Sequence, residues 1–84
     1  MANVVIYTKD DCPFSKSCKD FFNERKIEFT EFNISNDDAL FSEMKMKTGR
    51  RTDTPQVFIN GNHIGSFDDI KALDSQGELN NLLA

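Results

Sequence analysis

Two cysteines and one histidine in 84 residues are too few for a four-ligand zinc site within one chain. Two cysteines are also too few for the disulfide scaffold that holds small secreted domains together. There is no cationic excess: ten Lys and Arg face fourteen Asp and Glu, a formal net charge of −4. A clustered positive surface is what a phosphate backbone needs, so nucleic acid is not an expected partner. No apolar run approaches the ~20 residues of a membrane helix, and no membrane association is expected. Met1-Ala2-Asn3, followed by Val4-Val5-Ile6-Tyr7, lacks the basic flank and apolar length of a secretory signal. Together these absences point to the cytoplasm or an equally reducing compartment, with cysteines that serve as chemistry or as core.

Tryptophan is absent too, so the core must come from eight Phe and the aliphatic residues. Leu, Ile, Val and Phe number 22 of 84, above the ~20% below which chains stay disordered. The length suits one domain covering residues 1–84. Asn3–Thr8 is a short apolar run, β-branched at Val4, Val5 and Ile6, and reads as a buried strand. Pro13 suits a first helical position, and Phe14, Cys18, Phe21 and Phe22 follow at spacings of three and four, predicting a helix to about Lys26. Ile27–Ile34 alternates and predicts a second strand. Asn36-Asp37-Asp38 can cap a helix carrying Leu40, Phe41 and Met44, stopped at Gly49. Gln56–Ile59 and Asn62–Gly65 flank Asn60-Gly61, the strongest short hairpin signal. Ser66 with Asp69, and Ser75 with Glu78, have the spacing of capping boxes ahead of two final helices. The order βαβ-α-ββ-α, with a short C-terminal helix, predicts an α/β domain: a small mixed four-stranded sheet flanked by helices.

This order puts Cys12 between the end of the first strand and the first turn of a helix, where open α/β sheets bind ligands. Unpaired N–H groups and the positive end of the helix dipole favour its thiolate; Lys9 and Lys16 can add to that, while Asp10 and Asp11 work against it. A sulfur before proline in a polar turn is not a core position, so Cys12 is the candidate nucleophile. Cys18 lies six residues on, about 9 Å along a helix and about 240° around it. A disulfide needs Cα atoms within ~7 Å, so the pair cannot close while the helix is intact. Cys18 shares the stripe of Phe14, Phe21 and Phe22 and reads as core. The residue able to reach Cys12, at i+3, is Ser15.

Cys12-Pro13-Phe14-Ser15 after a short strand, Thr54-Pro55-Gln56-Val57-Phe58-Ile59, and Ile64-Gly65-Ser66-Phe67-Asp68-Asp69 together resemble the motifs of the glutaredoxins, in order and spacing over nearly the whole chain. The resemblance implies a thioredoxin-like fold, a cis Pro55 facing the active cysteine, and glutathione-dependent thiol–disulfide exchange. It also implies glutathione as the cofactor, and glutathionylated proteins or low-molecular-weight disulfides as partners of a monomer. Carried over by position, Cys12 is the nucleophile and the site of the glutathione mixed disulfide. Lys9 approaches a glutathione carboxylate, Phe14 walls the sulfur, and the Thr54 backbone pairs with the peptide beside Pro55. Phe67 and Asp68 hold the γ-glutamyl end.

The chain departs from the family pattern in three places. Ser15 stands where a second cysteine is frequent, which leaves a monothiol cycle in which a hydroxyl can support the Cys12 thiolate. Asp53-Thr54 and Gly65-Ser66 stand where Thr-Val and two glycines are usual, and Asp53 is a charge that could repel an anionic ligand. Phe41 and Ser42 occupy the region that often supplies a basic or amide contact, which leaves Arg50 or Arg51 to substitute. Within the family, the alternative function is to hold an iron–sulfur cluster between two subunits through Cys12 and glutathione. The Pro13 after Cys12 and the short Lys9-to-Cys12 loop count against it. Two further rivals are a glutathione-transferase-type N-terminal domain, disfavoured by the missing helical domain, and an inactive thioredoxin-like scaffold. His63 is assigned no role.

Overall fold

The computed structural model describes residues 2–84. The chain runs β1 (Val4–Thr8), α1 (Pro13–Glu24), β2 (Thr30–Asn33), α2 (Asp38–Lys47), β3 (Gln56–Ile59), β4 (Asn62–Gly65), α3 (Phe67–Ser75) and α4 (Glu78–Leu83). The four strands form one sheet in the order β2-β1-β3-β4. β1 and β2 are parallel, with Tyr7 beside Phe32, while β1–β3 and β3–β4 are antiparallel. This is the expected mixed sheet of a thioredoxin-like α/β fold.

The twofold periodicity of the strands splits the core into two clusters. Val4, Ile6, Val57 and Ile59 face one way and meet Cys18 and Phe22 of α1, Ile70 of α3 and Leu79 of α4. Tyr7 and Phe58 face the other way and meet Ile34 and Met44. The Tyr7 hydroxyl donates to the Glu43 carboxylate, which ties α2 to the sheet.

Local chemistry explains where the elements stop. Lys26, with φ 57°, ends α1, and the amides of Lys26 and Ile27 return to the carbonyls of Asn23 and Phe22 at 3.0 and 2.9 Å. That is a Schellman closure, with Ile27 packed back against the core. It corrects the expected boundaries: α1 ends at Glu24 rather than near Lys26, and the second strand begins at Thr30 rather than at Ile27. Ile27 and Phe29 alternate as a strand would, but they serve the helix end. Asp37 caps α2, its carboxylate accepting the Leu40 amide at 3.0 Å. Asn60 and Gly61 have φ of 53° and 82°, the double positive φ of a type I′ hairpin.

The first expected capping box forms, with the Ser66 amide donating to the Asp69 carboxylate at 2.8 Å. The second does not. Ser75 lies inside α3, and the junction is made by Gly77 with φ 75°. A left-handed glycine closes α3 and opens α4 in one residue, leaving Ser75 no capping role.

Gly65 joins β4 to α3 with φ 131°, and a Cβ there would lie 2.2 Å from Asp69 Oδ2. Gly65→Ala is therefore expected to lower stability by about 2 kcal/mol, combining backbone strain with loss of the cap. A shifted denaturation midpoint with unchanged slope will show it.

Candidate active site

The site assembles at the edge where β1 ends and β3 begins. Cys12 is the N-cap residue of α1, extended at φ −105°, with Pro13 following as the first helical residue. Its carbonyl accepts the Lys16 amide at 3.1 Å, starting the helix. The sulfur is left free to face the loop before β3. There the Thr54 hydroxyl donates to Cys12 Sγ at 3.2 Å, and Sγ lies 3.5 Å from the Thr54 carbonyl oxygen. The Thr54–Pro55 peptide bond is cis, as the resemblance implied, and Pro55 is buried.

Ser15 is buried, only 1% exposed, and its hydroxyl accepts the Lys9 amide at 3.4 Å. Burial by itself pushes the Cys12 thiol up, but donors outweigh it: the hydroxyls of Ser15 and Thr54, then the backbone of Ser15 and Phe14, hold it below an ordinary thiol. The helix-terminus part of the expectation thus holds. The expected help from Lys16 does not, because Lys16 pairs with Asp20 at 2.8 Å instead. Neutral donors, not cations, favour this thiolate.

The other thiol has the opposite surroundings. Cys18 is fully buried in the core cluster that includes Val4, Ile6 and Ile70, and burial alone pushes it up to about 12. Both cysteines are free. The expected stripe is corrected at Phe14, which is 63% exposed; the residues that α1 buries are Ser15, Cys18 and Phe22.

Phe14 instead joins Thr54, Phe67 and Asp68, with Asp53 and Ser66, around a groove of about 210 Å³. A wider cleft of about 620 Å³ opens on the other side of the sulfur and includes Lys9, Cys12, Pro13 and Ser15. The Cys12–Thr54 contact joins the two. Lys9, Cys12, Pro13, Phe14, Ser15, Thr54, Phe67 and Asp68 thus converge on one edge. Phe67 has a second task, packing edge-on against Phe21 at 5.7 Å. Asp68 is exposed, with only a 3.4 Å contact to Lys71. A larger cleft, about 720 Å³ beside Ala2–Val4 and residues 26–30, lies at the opposite end of β1 and is lined by no cysteine.

Two features went unseen in the sequence. One is the Thr54 side chain on the sulfur, across a separation of 42 residues. The other is the pairing of Asp53 with Arg51, Nε to Oδ1 at 3.0 Å and Nη2 to Oδ2 at 2.6 Å. That pair neutralises the charge that threatened an anionic ligand and occupies Arg51. Arg50 lies apart, by Met46.

Comparison with known proteins agrees with this fold. The glutaredoxin family model matches residues 4–64. Glutaredoxin 3 of Escherichia coli is 43% identical over 83 residues, covering 99% of each chain. The solution structure of a glutaredoxin from Brucella melitensis superposes with a TM-score of 0.84 at 38% identity, covering 99% of this chain and 89% of the other. A buckwheat glutaredoxin–glutathione complex superposes with a TM-score of 0.85, covering 98% and 76%; at 24% identity it speaks for the fold alone.

The contrast between the thiols is testable by alkylation. Cys12 should react with iodoacetamide well below pH 8.5, the ordinary thiol value. Cys18 should stay unmodified until denaturant is added. Peptide mapping that finds Cys18 modified in the folded protein contradicts the assignment.

Proposed function

Since the chain belongs to the glutaredoxin family of thiol–disulfide oxidoreductases, we propose that it reduces glutathione mixed disulfides by a monothiol cycle through Cys12. The observation that carries this reading is the disposition of the thiols. One sulfur lies at a helix N-terminus beside a groove, and the other is sealed in the core. Ser15, at the position within reach, cannot form a disulfide.

In the cycle, the Cys12 thiolate attacks the glutathione sulfur of a mixed disulfide. The substrate thiolate leaves, and Cys12 carries the glutathionyl group. Cys12 then departs as a thiolate when a second glutathione takes that group away as glutathione disulfide. Net, one mixed disulfide and one glutathione become one free substrate thiol and one glutathione disulfide. The groove beside the sulfur suits a small peptide. The Thr54 backbone, beside Pro55, can pair with an extended chain. Phe14 and Phe67 supply apolar walls. The first amides of α3 suit a carboxylate, and the exposed Asp68 side chain suits an ammonium. Lys9, in the adjoining cleft, suits a second carboxylate. The Arg51–Asp53 pair keeps the groove from repelling an anion.

We assign the reaction to the cytoplasm, where both thiols stay reduced, and to a monomer, because one chain supplies the whole groove. Among the described residues, no helix is long and apolar enough to cross a membrane.

Exposure to oxidised glutathione followed by mass spectrometry should add one glutathionyl group, at Cys12. Attachment at Cys18, or none, overturns the reading. Ser15→Cys should form a bond to Cys12 and release the glutathione, since i+3 brings the two onto one helix face. Cys18→Ala should leave turnover nearly unchanged. A coloured, cluster-bearing dimer on purification would favour the iron–sulfur role instead. Arg51→Ala, which frees the Asp53 charge, should raise KM for a glutathionylated peptide severalfold with kcat little changed, and most strongly at low salt.

A further inference from the structure

We propose that Thr54 is a catalytic residue of this protein, its hydroxyl holding the Cys12 sulfur as a thiolate both before attack and as it leaves. The inference rests on the reading of Cys12 as the nucleophile and adds a second residue to the chemistry. Thr54 meets the sulfur with two different atoms. The hydroxyl, 3.2 Å away, is a donor to sulfur, and the carbonyl oxygen, 3.5 Å away, can only accept. The carbonyl therefore serves the thiol, taking the S–H hydrogen, and the hydroxyl serves the thiolate. Among the described residues, the Thr54 hydroxyl makes no other hydrogen bond, so nothing competes with sulfur for its hydrogen. The site is half-buried, where water replaces a lost donor poorly. Lys16, four residues after Cys12, is paired with Asp20, and the groups that hold the Cys12 thiol down include no cation; the Ser15 hydroxyl is the other side-chain donor.

The effect falls on both halves of the cycle. Before attack, the bond raises the fraction of Cys12 that is ionised. In the second half, the S–S bond of the Cys12–glutathione disulfide breaks, the electron pair goes to Cys12 Sγ, and the Thr54 hydroxyl donates to the charge as it forms. A leaving thiolate that is better stabilised leaves faster. No proton is transferred in that step, so the hydroxyl acts by hydrogen bonding alone.

The test titrates Cys12 by thiolate ultraviolet absorbance in a Cys18→Ala background, leaving one titrating thiol. Tyr7 does not intrude, because burial and its bond to Glu43 hold its hydroxyl protonated far above the ordinary tyrosine range. Thr54→Val keeps the shape and removes the donor. Its midpoint should rise by about one pH unit, a tenfold loss of thiolate below the midpoint. Release of glutathione from glutathionylated Cys12 by free glutathione should slow roughly threefold. Thr54→Ser should restore both values, which a purely structural role would not require. Thr54→Ala should repeat the Val result if Val perturbs packing. Midpoints for Val and Ala equal to that of the parent, or a Ser variant that titrates with Val, overturn the proposal. A parent protein that accepts no glutathionyl group overturns the glutathione reading instead, and the midpoints still judge Thr54.

Discussion

The antiparallel pairing of β1 with β3 is the constraint on which the site depends. With Ile6 beside Val57 and Tyr7 beside Gln56, the end of one strand lies against the start of the other. The segment leaving β1 therefore meets the segment entering β3, and Cys12 faces Thr54. The same logic extends across the sheet. β4 is antiparallel to β3, with Gly65 beside Val57, so the start of α3 arrives at the same edge. Three segments distant in the chain become the walls of one groove. None of them contains enough apolar side chains to hold itself there. Their positions come from the strands, whose inward residues are buried on both faces of the sheet.

Within that frame, the two cysteines show how far surroundings govern one side-chain chemistry. Both lie on or next to α1, six positions apart. Cys18 is surrounded by hydrocarbon, and desolvation alone keeps its proton on. Cys12 is partly desolvated as well, but hydroxyl and amide donors reverse the outcome. An acidic protein thus favours a thiolate without gathering positive charge around it. Two lysines of α1 are engaged elsewhere, Lys16 with Asp20 and Lys19 with Glu31 at 2.9 Å. The Arg51–Asp53 pair follows the same economy, placing a carboxylate at a groove wall with its charge already matched.

Short-range signals were legible wherever the physics was local. Pro13 opened a helix, Asp37 capped one, and Asn60-Gly61 turned a hairpin, because each effect spans a few bonds. Patterns misled where a local signal had two uses. Ile27 and Phe29 alternate as a strand does, yet Ile27 closes α1 and Phe29 packs 6.1 Å from Phe22. Phe14 sits at helical spacing from Cys18, yet it is the first exposed residue of the groove rather than part of the core. Ser75 and Glu78 have capping-box spacing, but Gly77 between them takes the left-handed turn.

The sequence by itself determined the element order, the type of sheet, the placement of Cys12 at a helix start and Cys18 in the core, and, through three motifs taken together, the family. These follow from periodicity, turn chemistry and helix geometry, all readable over short spans. Only the tertiary structure decided which groups touch the sulfur. The Thr54 hydroxyl meets Cys12 across 42 residues, a contact set by strand register rather than by any local preference. It also decided that Arg51 turns to Asp53 rather than to open solvent, and that Phe67 both packs on Phe21 and lines the groove. Such choices depend on which side chains compete for the same partner in space, and one-dimensional spacing carries no record of that competition.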